Sequence, residues 1–170
     1  AQLEVGAFAT SYIPTAAATV TRAADVLTYP YAGNADGAVG TCSAYLSTQW
    51  TSKVAIAVAF TAGKFVLDVE GGTSTTIVIN DGTNVADKTG LTDMNTGLRK
   101  RASSWSASPR IAAYGDSAAP ATNAAFSGTM GATKISIGCN DGGSQQWCGT
   151  IRDVRIWQRV LSDSQIASIK

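Results

Sequence analysis

The 170-residue chain contains no histidine. That absence removes Ser-His-Asp and Cys-His catalysis and every His-ligated zinc site. Carboxylates are scarce as well: Glu4 and Glu70 are the only glutamates. Charge is sparse and nearly balanced, with 13 Lys and Arg against 12 Asp and Glu for a net +1. No basic run exceeds Arg99-Lys100-Arg101, so nucleic acid is not implied as a partner. The longest apolar run is Val54 to Phe60, far short of a membrane span, so membrane insertion is not expected. No repeat of fixed period occurs, which argues against a propeller or solenoid.

What is present is a chain dominated by Ala, Gly, Ser and Thr, with expected strands of five to eight residues between turn signals. A long amphipathic helix has nowhere to form, and the pattern predicts an all-β sandwich or barrel. Expected strands cover 25–29, 41–46, 54–60, 65–69, 75–80, 98–105, 110–114 and 134–138. Val54, Ile56, Val58 and Phe60 alternate with alanines, so that strand is apolar on both faces and belongs inside a sheet. Asp81-Gly82 marks a turn. The stretch 117–131 has no periodicity and is expected to be a long loop.

The last 22 residues, Gly149 to Lys170, are the most ordered text. Val154 and Ile156 alternate with Asp153, Arg155 and Trp157, as in a half-buried strand. Ile151 is out of phase, which predicts a bulge near Arg152. A short helix follows: Ser162 is its N-cap, Gln165 the capping-box partner, and Leu161 with Ile166 the hydrophobic staple. Asp163 in the first turn and Lys170 in the last are expected to suit the helix dipole. Trp157 is either core of another layer or cover for the helix. This strand-then-helix ending resembles the closing segment of laminin-G-like, concanavalin A-like jelly rolls. The resemblance implies a two-sheet antiparallel β-sandwich with a short C-terminal helix over 23–170.

The opening, Ala1 to Thr15 followed by Thr21-Arg-Ala-Ala-Asp25, resembles the connector that joins β-domains in bacteriophage tail and other virion proteins. It implies an N-terminal connector at 1–22, neighbouring domains of a longer parent chain, and a place on a virion made in the host cytoplasm and acting outside the cell. The start at Ala rather than Met fits a fragment or a processed form. Concanavalin A-like glucanases carry Glu-x-Asp-x-x-Glu on one strand. Here the nearest approach is Asp68-Val-Glu70 followed by two glycines, so the expectation is no enzymatic activity.

Four tryptophans carry the binding expectation. Trp105, at the tip of the expected 98–114 hairpin, and Trp147, at the end of the loop between the last two strands, are each either a flat platform for a sugar ring or a sheet-packing residue. Beside Trp147 stand Asn140, Asp141, Gln145 and Gln146, amides and a carboxylate suited to sugar hydroxyls. Cys139 and Cys148 bracket the same loop; they either bridge and stiffen it or remain thiols. Asn34 and Asp36, with Asn140 and Asp141, are weak calcium candidates, since Asn, Asp and Gly are also ordinary turn residues. The expected function is a non-catalytic module binding cell-surface or extracellular polysaccharide. The alternatives are an architectural virion domain without sugar binding and, behind it, a hydrolase or lyase of the same fold.

Overall fold

The computed structural model describes residues 26–49, 55–61, 64–69, 75–106, 111–115, 119–131, 133–140 and 145–170. The expected connector at 1–22, Trp50 and Asp141 lie outside the described residues. Eleven strands are described: β1 (Leu27–Pro30), β2 (Val39–Leu46), β3 (Ala55–Thr61), β4 (Lys64–Val69), β5 (Ile77–Asn80), β6 (Val85–Lys88), β7 (Arg99–Ser106), β8 (Ile111–Tyr114), β9 (Ala121–Asn123), β10 (Lys134–Ile137) and β11 (Ile151–Trp157). They form a six-stranded sheet in the order β1-β10-β3-β4-β5-β6 and a five-stranded sheet in the order β11-β2-β7-β8-β9. Every pairing is antiparallel.

The core lies between the sheets, and the period-two pattern decides what enters it. Cys42, Ala44 and Leu46 of β2 and Trp105 of β7 meet Val58, Phe60, Leu67 and Ile79 from the opposite sheet. β3 sits inside its sheet between β10 and β4, and residues Ala55 to Phe60 are all buried. Ser103 ties the layers together by donating its hydroxyl to the Val66 carbonyl.

Two strands escaped the sequence pattern. The 117–131 stretch is not wholly loop, because β9 pairs with β8 there. β6 lies just past the Asp81-Gly82 turn. Both are short edge strands of three or four residues, too brief and too mixed in polarity to give an alternation signal.

The ending follows its local signals. The ladder of β11 with β2 shifts register between Arg152 and Arg155, and Asp153 takes a φ of 53° at that bulge. The helix α1 (Asp163–Ser168) has both halves of its capping box, Gln165 N–H to Ser162 Oγ at 3.2 Å and Ser162 N–H to Gln165 Oε1 at 2.9 Å. Leu161 and Ile166 are buried with Ala102 and Tyr114, and Trp157 packs beside them as cover for the helix. The expected role of Lys170 is corrected. The helix ends at Ser168 with no basic residue in its last turn. Lys100 of β7 takes that place, donating Nζ to the carbonyls of Ile166 at 3.0 Å, Ala167 at 2.7 Å and Ile169 at 3.1 Å. A cation from a distant strand thus meets the negative end of the helix.

Candidate functional site: an open edge of the sandwich

The edge strands β1 and β11 belong to different sheets but lie on the same side of the sandwich. Between them runs a groove of about 480 Å3. Leu27 and Tyr29 of β1 form one wall, Ile135 and Ile137 of β10 lie behind them, and Ile151, Val154 and Ile156 of β11 form the other wall. Asn34 lines it as well. The bulge at Asp153 keeps Val154 and Ile156 on the groove side while Arg152, Asp153 and Arg155 remain exposed. A second recess of about 420 Å3 shares Leu27 and Ile137 with the first and adds Val26, Gly138, Gln146 and Trp147. Val26, Leu27 and Tyr29 are each about half exposed, at 48%, 51% and 48%.

Trp147 is held in place. Its backbone N–H donates to Gly138 O at 2.7 Å, and its indole Nε1 donates to Ser47 O at 3.0 Å. Its loop is fastened on two more sides, by Gln49 N–H to Cys148 O at 3.0 Å and Ile56 N–H to Gln145 O at 3.1 Å. Gln145 adopts a φ of 53° there. Asn140 donates its amide to Gln145 Oε1 at 3.4 Å. The ring is half-buried against the core, an aromatic whose orientation is fixed before any ligand arrives.

The expected site residues therefore divide. Trp147 and Gln146 line the open edge together, and Asn34, expected as a cation ligand, lines the adjoining groove. Trp105 is corrected. It is fully buried, stands edge-on to Phe60 with centroids 5.4 Å apart, and donates Nε1 to Asp36 O at 2.9 Å. Its position near the hairpin tip was legible, but its ring lies inside on room left by Gly40 across the ladder, where a Cβ would overlap the indole. Cys139 and Cys148 are not bridged: the first is buried and the second half-buried, each as a thiol. Burial pushes the Cys42 thiol well above its ordinary range, so it is chemically quiet. Tyr31, next to the groove strand, has its phenol pushed up to about 12 by burial and by the Asp36 charge, and stays neutral.

In the oxygen-rich loops, side chains bond the backbone of their own turns. Asp36 Oδ1 accepts from Ala38 N–H at 2.8 Å, and Asp93 Oδ1 from Asn95 N–H at 2.8 Å. Asn34 offers its amide donor to Pro30 O at 2.9 Å. Among the described residues no three His, Cys, Asp or Glu side chains gather as a metal site. Sequence reasoning missed Leu27, Tyr29 and the isoleucines of β10; the one available signal was a large aromatic directly before a strand-ending proline.

Two antiparallel sheets in this order, closed by a capped helix, define a concanavalin A-like jelly roll. The chain belongs to the laminin-G-like family of the concanavalin A-like lectin/glucanases superfamily, whose model matches residues 35–167. A solved structure of similar fold is the native heptameric SAP-like pentraxin from Limulus polyphemus, at a TM-score of 0.52 and 16% identity, over 83% of this chain and 71% of that one. No curated protein matches the sequence.

Proposed function

We propose that this domain is a non-catalytic carbohydrate-binding module that recognises cell-surface or extracellular polysaccharide along the β1/β11 edge, as part of a phage structural protein. The observation that carries the reading is Trp147, immobilised by two hydrogen bonds beside Gln146 at the end of a groove that also presents Tyr29. Fixed aromatic rings with neighbouring amides are the hardware that stacks on a sugar and bonds its hydroxyls. Prior fixing also lowers the ordering cost of binding. The family supports the reading, since its fold is compatible with carbohydrate binding. The virion setting rests on the resemblance of the first 25 residues to phage connectors. The non-catalytic reading rests on the missing histidine and the missing carboxylate strand.

A second reading has an observation of its own. Most of the groove is aliphatic, and Val26 and Leu27 stand exposed beside it, which suits an architectural domain resting against a neighbour. A glycan array with and without calcium, followed by titration of the selected glycan, separates the two. Trp147→Ala is expected to weaken binding by about 1 kcal/mol or more with the fold intact. An array without hits, or equal affinity in the variant, refutes sugar binding at this edge. Release of reducing ends from a bound polysaccharide refutes the non-catalytic part.

A further inference from the structure

We infer that the glycan taken by this edge is neutral and carries methyl-bearing sugars, either 6-deoxyhexoses or acetylated residues, whose methyl groups enter the groove beside Trp147. The inference rests on the carbohydrate-binding reading and names the substrate class of that site. Its ground is the chemistry of the lining. The side chains of Leu27, Ile135, Ile137, Ile151, Val154 and Ile156 are aliphatic, and no described residue lining either recess carries a formal charge. Among the described lining residues a uronate, sialate or phosphate would meet no counter-charge, and burying an unpaired charge is costly. A sugar displaying only hydroxyls would find partners in Tyr29, Asn34 and the strand-edge backbone but would leave the branched alkyl side chains of the groove unmatched.

A chain of pyranoses with methyl substituents fits both halves of the site. Rings and hydroxyls along it meet Trp147 and Gln146 in one recess and Tyr29 and Asn34 in the other, while the methyl groups face the aliphatic side chains. Asn34 gives its N–H to Pro30, and that bond leaves its carbonyl oxygen as an acceptor. The groove volume of about 480 Å3 falls within the range of roughly 300–1,000 Å3 for small-ligand sites. Leu27 and Ile137 line both recesses, so a chain stacked on Trp147 continues into the aliphatic groove without a gap.

The test is calorimetric titration of the full 170-residue chain with four oligosaccharide series of equal length, built from rhamnose, N-acetylglucosamine, glucose and galacturonic acid. A methyl in an apolar pocket is worth roughly tenfold or more, so rhamnose or N-acetylglucosamine oligomers are expected to bind at least tenfold tighter than glucose oligomers. The better of the two series identifies the methyl's source. Leu27→Asn, at a half-exposed position that leaves the core untouched, is expected to shrink that preference to threefold or less, and saturation-transfer NMR should mark the ligand methyl as the group nearest the protein. Val154→Thr tests the opposite wall with little change in volume. Glucose oligomers binding as tightly, or galacturonate binding best, would overturn the inference while a concurrent loss in Trp147→Ala leaves sugar binding standing. If no series binds, array hits lacking any methyl group overturn it too, and a blank array removes both readings together.

Discussion

The two sides of the sandwich are finished differently. On one side β6 and β9, edge strands of opposite sheets, run against each other, and Asn123 Nδ2 donates across to Val85 O at 3.0 Å. Just beyond, the buried Asp81 carboxylate accepts from Thr83 N–H at 2.9 Å, Asn84 N–H at 2.7 Å, Asn84 Nδ2 at 3.0 Å and Ser127 N–H at 2.6 Å. One side chain thus gathers the β5–β6 turn and the 124–129 segment and seals the end of the core. On the other side β1 and β11 flank a groove with aliphatic walls. The difference is that directional polar contacts close one edge of the sandwich, while the apolar walls of the other leave a groove open. Pro30 at the end of β1 has no N–H to offer and helps keep that open edge from pairing with another strand.

Breaking the closed side should have the largest effect. Asp81→Ala removes the acceptor and strands several amide donors, at a cost of about 2–3 kcal/mol in a denaturant titration. Burial by itself raises the Asp81 pKa, but the hydrogen bonds from Asn84, Ser127 and Thr83 outweigh it and hold the carboxyl below its ordinary value. A carboxyl lower in the folded than in the unfolded state contributes stability that is fully present above the ordinary carboxylate range and is lost as pH falls through the depressed value. The stability gap between wild type and Asp81→Ala should therefore be constant at neutral pH and narrow on acidification below about pH 4. A gap that widens in acid would show that the carboxylate does not seal this side.

The helix cover over the five-stranded sheet gives an intermediate case, since one hydroxyl fixes its start. Ser162→Ala should cost about 1 kcal/mol through loss of the cap. An unchanged melting temperature would mean that packing of Leu161 and Ile166 suffices without it. The smallest effect is expected on the open side. Leu27→Ala should change stability by less than about 0.5 kcal/mol because the residue is half exposed. A loss above about 1.5 kcal/mol would mean that Leu27 is covered in solution, and the contrast between the two sides would fail.

What the chain determined by itself is local. The alternation in 54–60 marked β3 as an inner strand, the out-of-phase Ile151 marked the bulge, and Ser162 with Gln165 fixed the helix start, because each depends on residues within a few positions of one another. Trp147 and Gln146 were legible as neighbours on one loop for the same reason. Direction and closure were decided elsewhere. The Trp105 ring fits inside because Gly40, 65 positions away, leaves room for it; the helix C-terminus finds its cation in Lys100 rather than Lys170; and Leu27, Ile137 and Val154 line one groove only because three distant strands end on the same side. Periodicity assigns a residue to a face of its own strand. Which faces and edges then meet depends on how the two sheets stack, and whether an edge is sealed depends on single polar groups such as Asp81 and Asn123, which reach Ser127 and Val85, 46 and 38 residues away.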